Sequence, residues 1–211
     1  SILSHDTFDP LEAACVYELQ SSCHEAFRES SFFSELMRFL YIQQKPVRED
    51  DFALFRILGR GGFGLVHGCK RASSGKLYAM KVMNKKRIKK RGSEKLCMNE
   101  RRILAEVDSD FIVCLKYSFA TEEDLFLILD LMTGGDLSFH LSMKHVFNRE
   151  EAEFYAGRTA LGLRAMHRLN IVYRDLKPEN ILMDEEGLTR ISDLGLACKI
   201  TSRLSGVCGT R

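Results

Sequence analysis

The sequence holds no Cys-x-x-Cys pair, and its cysteines, Cys15, Cys23, Cys69, Cys97, Cys114, Cys198 and Cys208, are odd in number. A disulfide framework and a zinc site are therefore not expected, and a reducing compartment is the natural setting. Long apolar runs are also lacking. The longest, as at Leu125–Leu129, reach about five residues, far below the roughly 18 that span a bilayer. No signal-peptide pattern opens the chain, whose first residue is Ser rather than Met. Neither charge sign dominates: Lys plus Arg number 31 against 29 for Asp plus Glu. Nucleic acid is thus not expected as a partner. These absences point to an intracellular, soluble chain that is a piece of a longer protein. Its 211 residues allow one large or two small domains with ample apolar content for a core.

What is present begins with helix signals. Asp9-Pro10-Leu11-Glu12 reads as a helix start, with Asp9 as N-cap and Pro10 at the first helical position. Leu11, Cys15, Leu19, Cys23 and Phe27 recur every fourth residue and predict one helix with an apolar stripe. After Ser30-Ser31 a second amphipathic piece carries Phe32, Phe33, Leu36, Phe39 and Leu40. Two helices bury too little to fold alone, so they must pack on a segment absent here or on the domain that follows. Lys45-Pro46 marks the boundary.

From Asp51 the pattern turns to strands. Phe55–Leu58, Leu65–Lys70, Leu77–Met83, Phe111–Phe119 and Leu125–Met132 predict a five-stranded antiparallel sheet with one inserted helix, roughly Ser93–Val107. Gly59, Gly61 and Gly64 stand at G-x-G-x-x-G spacing between the first two strands. Glycine lets a backbone take φ > 0 and approach phosphates closely, although such a stretch also serves as a plain turn. A dinucleotide fingerprint would run on into a helix; here Leu65, Val66, His67 and Gly68 continue as a strand.

Lys81 ends an apolar strand, where it could simply snorkel to solvent. The predicted helix after it has an apolar face of Leu96, Ile103, Leu104 and Val107, with Glu100 on that same face. A buried carboxylate needs a counter-charge, and Lys81 is the available one. Between them KKRIKKR (85–91) is six-sevenths basic. It reads as a solvated helix face or loop, or as a contact for acidic substrate segments or anionic lipid. A capping box at Asn148–Glu151 starts a long helix with the stripe Ala152, Tyr155, Ala156, Thr159, Leu163 and Met166.

The densest chemistry lies in Tyr173–Gly195. Strand-like residues 181–183 and 189–192 flank turn residues Asp184–Gly187, so a tight hairpin returns the chain to its origin. Asn180 and Asp193 can then face one volume beside Asp175. Two oxygen ligands suit Mg²⁺, which completes its shell with phosphate and water, and a nearby carboxylate can accept a hydroxyl proton.

This is the protein-kinase pattern H-R-D-L-x-x-x-N followed by D-F-G, with Tyr173 for His and Leu194 for Phe. The strand–glycines–strand order matches it. The chain resembles the AGC kinases and, more narrowly, the G protein-coupled receptor kinases. The likeness rests on GRGGFG (59–64), GKLYAMK (75–81), NKKRIKK (84–90), NERRIL (99–104), FIVCLKYSF (111–119), LMTGGDL (131–137), SDLGLA (192–197) and CGTR (208–211). LMTGGDLSFHL leans toward the β-adrenergic-receptor-kinase branch. FRESSFFSELMRFL (27–40) resembles the terminal helices of that family's RGS-homology domain, although the Trp-containing stretch expected between Leu40 and Pro46 is missing.

The resemblance implies an α+β protein-kinase fold. Residues 1–46 would be RGS-homology helices and linker, and 47–132 an N-lobe with a five-stranded antiparallel sheet and helix C. Residues 133–211 would be an incomplete, mainly helical C-lobe, since no A-P-E motif follows. It implies ATP and Mg²⁺ as cofactors. Gly59, Arg60, Gly61, Gly62, Phe63 and Gly64 would cover the phosphates, and Lys81, oriented by Glu100, would grip them. Val66, Ala79 and Leu182 belong to the implied nucleotide site. Leu129 would limit the depth of the adenine pocket, and the Asp130–Met132 backbone would pair with the adenine edge. Asp136 would accept from a ribose hydroxyl; plainer readings make Leu129 core and Asp136 a helix N-cap.

Asn180 and Asp193 would hold Mg²⁺, Asp175 would accept the substrate proton, and Lys177 would neutralise charge on the transferring group. Arg174 would, in kinases generally, receive an activation-loop phosphate, with Thr201, Ser202 and Ser205 as candidate acceptors by composition only, whereas the resemblance to the receptor kinases implies a switch by docking to activated receptor instead. The implied substrates are Ser or Thr hydroxyls of activated G protein-coupled receptors, in receptor desensitisation. Gα or anionic-lipid contacts would lie in regions outside this chain, and a cytoplasmic protein peripherally recruited to the plasma membrane is implied. Two other readings stay open: another AGC kinase with cytosolic substrates, and a non-enzymatic scaffold whose helices 11–40 bind a partner.

Overall fold

A computed structural model of the chain describes residues 9–200. The backbone divides into two compact units, one ending at Pro46 and the other beginning at Val47. Among the described residues no helix is long and apolar enough to cross a membrane.

The first unit holds α1 (Asp9–Ser22), α2 (His24–Arg28) and α3 (Ser31–Gln44). The single helix expected from Leu11 to Phe27 is broken at Cys23, where φ is −136° and ψ −7°. Ser21 and Ser22 both turn their hydroxyls back onto the Glu18 carbonyl, at 3.1 and 2.6 Å, which competes with the helix's own hydrogen bonds. A strict four-residue spacing also winds around a 3.6-residue helix, so the expected stripe is no stripe, and α1 has no buried residue. Asp9 is itself helical rather than the cap. The Ser30 break does cap α3, its hydroxyl accepting from the Phe33 amide at 3.3 Å.

The second unit carries the expected five-stranded antiparallel sheet, in the order β1 (Phe52–Arg60), β2 (Gly64–Arg71), β3 (Leu77–Asn84), β5 (Asp124–Leu129), β4 (Leu115–Ala120). Two helices, not one, are inserted before β4. Asn84 accepts from the Arg87 amide at 3.2 Å and so caps α4 (Lys85–Lys90), whose one buried residue is Ile88. The basic run is therefore a solvated helix face. Next comes α5 (Glu94–Glu106), which buries Cys97, Glu100, Ile103 and Leu104. Leu96, expected on that face, is 39% exposed, because the line through 97, 100 and 104 is the one the 3.6-residue period turns inward.

Residues 111–114, expected in the fourth strand, stay outside it because their amides are taken elsewhere. Val113 donates to the Ile191 carbonyl at 2.9 Å and Cys114 to the Asp130 carboxylate at 3.0 Å. The fifth strand stops at Leu129 rather than Met132, and the backbone then crosses to the helical half.

That half contains α6 (Leu137–Lys144), α7 (Arg149–Arg168), β6 (Ile171–Val172), the hairpin β7 (Ile181–Met183) and β8 (Thr189–Ile191), and β9 (Cys198–Lys199), paired with β6. The Asn148–Glu151 capping box starts α7, with reciprocal bonds of 2.8 and 3.1 Å. Gly162 and Met166 are its buried residues, whereas Ala152 and Ala156 of the predicted stripe are exposed. The inward line runs through 155, 159, 162 and 166, and those two alanines lie off it.

One core cluster, including Met83, Ile103, Leu104, Leu127, Met166, Tyr173 and Leu194, joins the sheet, α5 and the Tyr173–Gly195 stretch. A second, built on Phe52, Tyr78, Met80, Phe126 and Ile128, is aromatic-rich and includes three sheet strands besides β1.

Candidate active site

A cavity of about 550 Å³ opens beneath the glycine stretch and is lined from both halves of the second unit. Gly59 through Gly64 form its roof, with Val66, Ala79 and Lys81 from β2 and β3. Glu100, Leu129, Asp130, Met132 and Asp136 also line it, as do Leu182, Asp175 and Asp193 from below. Asn180 and Lys177 are not on its wall, but both reach Asp175.

The glycine stretch closes on itself, the Gly61 amide donating to the Gly64 carbonyl at 2.9 Å, while the Asn84 amide holds the Phe63 carbonyl at 3.1 Å. Gly59, Gly61 and Gly64 all keep negative φ, so the left-handed freedom that glycine permits is not used there. At Gly64 the requirement is space instead: a Cβ there would sit 1.8 Å from the Val82 carbonyl oxygen.

Lys81 Nζ lies 2.6 Å from Glu100 Oε1, and Glu100 is 5% exposed. Burial works against the Lys81 charge, but the Glu100 and Asp193 carboxylates outweigh it and hold the ammonium above its ordinary pKa. Three contacts fix α5 against the stretch after Asp193. Asn99 donates to the Ala197 carbonyl at 2.8 Å, Lys199 pairs with Glu106, and Leu194 is buried in the shared core.

In the loop below, Asn180 Nδ2 donates to both the carbonyl and Oδ2 of Asp175, each at 2.9 Å. Lys177 Nζ stands 3.2 Å from the same Oδ2. Tyr173, in the place of the pattern's His, is buried and donates to the Ser192 carbonyl at 2.6 Å. Burial raises its pKa, so it remains a neutral strut. The Ser192 amide returns to the Asn180 carbonyl at 2.8 Å. These bonds tie Asn180 to the residue preceding Asp193. Asp193 itself adopts φ 50° and ψ 76° and accepts from the Gly195 amide at 3.2 Å. A left-handed non-glycine residue is strained, and such strain collects at functional sites.

The hard oxygen donors of Asn180 and Asp193 fit Mg²⁺. Among the described residues no group of three or more His, Cys, Asp or Glu could hold a metal. Asp136 Oδ1 caps α6 by accepting from the Phe139 amide at 2.8 Å. Arg174, at φ 69°, donates to the Leu196 carbonyl at 2.8 Å; Thr201, Ser202 and Ser205 lie outside the described residues. Sequence reading missed Leu58, Val113 and Ser192, which also line the cavity. Leu58, the last apolar residue before the glycines, carried a usable signal. Val113 and Ser192 arrive there only through tertiary contacts.

Residues 52–211 match the protein kinase domain family. Beta-adrenergic receptor kinase 1 of Homo sapiens is 46% identical over 202 residues, covering 94% of this chain and 29% of that protein. G protein-coupled receptor kinase 1 of Caenorhabditis elegans is 44% identical over 206 residues, 96% of the chain and 32% of the relative. G protein-coupled receptor kinase 2 of the same organism is 47% identical over 191 residues, 88% and 27%. The chain thus spans less than a third of the length of these relatives. From its sheet, its paired Lys81 and Glu100, and a family match over residues 52–211, the chain belongs to the protein kinase domain family and is similar to its G protein-coupled receptor kinases.

Proposed function

We propose that this chain is the nucleotide-binding part of a serine/threonine protein kinase that phosphorylates activated G protein-coupled receptors. The observation that carries the reading is the convergence of Lys81–Glu100, Asp175 and Asp193 on one cavity. The substrate class is argued from the names of the relatives, and receptor desensitisation is its expected consequence.

In this reading the purine lies between Leu58 or Val66 above and Leu182 below, with Leu129 at the back and the backbone of 130–132 along its edge. Asp136 keeps one carboxylate oxygen for a ribose hydroxyl while the other caps α6. The amides of 59–64 and Lys81 hold the phosphates, and Glu100 keeps Lys81 extended toward them. Asn180 and Asp193 would hold Mg²⁺, which would supply positive charge to offset that developing on the phosphates. Asp175, positioned by Asn180, accepts the proton of the attacking hydroxyl. Lys177, already beside Asp175, offsets charge on the group in transfer. Helices α1–α3 are assigned to an RGS-homology domain. Contacts with Gα or anionic lipid, and recruitment from cytoplasm to the plasma membrane, belong to the longer protein.

Asp193→Asn in the full-length protein tests the assignment. Phosphate transfer to agonist-occupied receptor should be abolished while thermal stability stays near that of the parent, because a metal ligand rather than core is removed. Full activity in that variant would refute it.

A further inference from the structure

Where β5 ends, the Asp130 carboxylate gathers three donors, two from around the start of β4 and one from β8. Oδ2 accepts the Cys114 amide at 3.0 Å and Nη1 of Arg190 at 3.0 Å, while Lys116 Nζ stands 3.2 Å from Oδ1. The Asp130 and Arg190 side chains are 19% and 24% exposed. Arg190 Nε is buried with no hydrogen-bond partner among the described residues, so this guanidinium is substantially desolvated and committed to Asp130. Charge-assisted bonds in such surroundings are stronger and more directional than exposed ones.

The donors differ in what they connect. Cys114 and Lys116 lie just before and within β4, the neighbour of β5, so their bonds tie Asp130 to the adjoining end of the sheet. Arg190 alone of the three comes from β8 in the helical half, three positions before Asp193 and opposite Leu182. β8 is itself held by reciprocal bonds, Ile191 to Phe111 and Val113 to Ile191, at 2.9 Å each. A displacement of Arg190 therefore carries Leu182 and Asp193 with it.

We propose that Asp130 and Arg190 form a clasp that sets the distance between the purine-contacting backbone of 130–132 and the metal-holding Asp193. Both act as positioning residues through their side chains, a role separate from the backbone contact of Asp130. This rests on the kinase reading. A ligand that reaches only the purine end should be indifferent to the clasp, whereas one that must reach both ends should feel it.

The test compares adenosine with Mg–ATP on the full-length protein by calorimetry. Arg190→Met should weaken Mg–ATP by about two- to thirtyfold and adenosine by less than about twofold. Arg190→Lys should recover part of the Mg–ATP loss. Lys116→Met, which cuts a bond confined to the sheet, should leave the ratio of the two affinities unchanged. Equal weakening of both ligands by Arg190→Met, or of neither, overturns the clasp and leaves the kinase reading standing. If Arg190→Met does not fold, the same comparison on Arg190→Lys decides, with the same two outcomes overturning it. An unaltered protein that binds neither ligand overturns the kinase reading and the clasp with it.

Discussion

The side-chain amide of Asn180 donates to two oxygens of Asp175 at once, the backbone carbonyl and the carboxylate, each at 2.9 Å. Its nitrogen is thereby committed, and its carbonyl oxygen is the atom available to a metal. Asn180→Asp would set a second carboxylate against Asp175 in a buried place. The expected result is a fall in kcat of about a hundredfold or more, read by steady-state kinetics of the full-length protein. Unchanged turnover would show that Asp175 needs no such support.

Glu100→Gln keeps the shape of the partner of Lys81 but removes its charge. A hydrogen bond between charged groups contributes about 1.5–3 kcal/mol, so kcat/KM for ATP should drop by about tenfold to a hundredfold. Because Lys81 is also drawn by Asp193, doubling the change with Lys81→Met should cost much less than the sum of the two. Additive losses would mean that the pair is not a functional unit.

The two ends of the glycine stretch should respond differently to alanine. At Gly64 a Cβ would lie 1.8 Å from the Val82 carbonyl oxygen, so Gly64→Ala must part β2 from β3. A destabilisation of about 3 kcal/mol or more is expected in chemical denaturation. At Gly59 a Cβ meets nothing within 4 Å, so Gly59→Ala should leave stability within about 0.5 kcal/mol. Any weakening of ATP binding there then reports on the ligand alone.

Cys69 is 0% exposed, and burial pushes its thiol from 9.0 up to about 11. The unfolded chain releases that proton first, so the contribution is whole below about pH 9 and is lost as pH rises toward 11. Two pKa units correspond to about 2–3 kcal/mol over that window. Tyr78, pushed to about 12 first by burial and then by Tyr117, adds a loss that begins near pH 10. Cys97 and Cys114, raised by burial as well, share the lower part of the slope. Cys69→Ala should therefore flatten, not abolish, the fall in unfolding free energy between pH 9 and 11. A slope identical to the parent's would exclude Cys69 as a source.

The features that could be read in advance are those specified by neighbouring residues. The Asn148–Glu151 box and the turn at Asp184–Gly187 each close within four residues, and both are present. The pairing of Lys81 with Glu100 was also legible, since a carboxylate on a buried helix face demands a cation. The misjudged boundaries have a common cause in distant partners. Residues 111–114 leave β4 because Ile191 and Asp130 claim their amides, and no local pattern announces that. The break at Cys23 was local, but a count of every fourth apolar residue ignores what serine hydroxyls do to a helix.

Local chemistry in the sequence was enough to nominate residues for a nucleotide and a metal, because glycine spacing, a carboxylate on the apolar face of a helix and a hairpin that returns the chain from Asn180 to Asp193 are all specified by neighbouring residues. The tertiary structure alone decided how they are held together. Asp130 meets an arginine sixty positions away, Tyr173 braces the Ser192 carbonyl, and Asn99 ties α5 to Ala197. Contacts of that span depend on how the sheet and hairpins pack in three dimensions, and the residue types at the two ends admit many other partners.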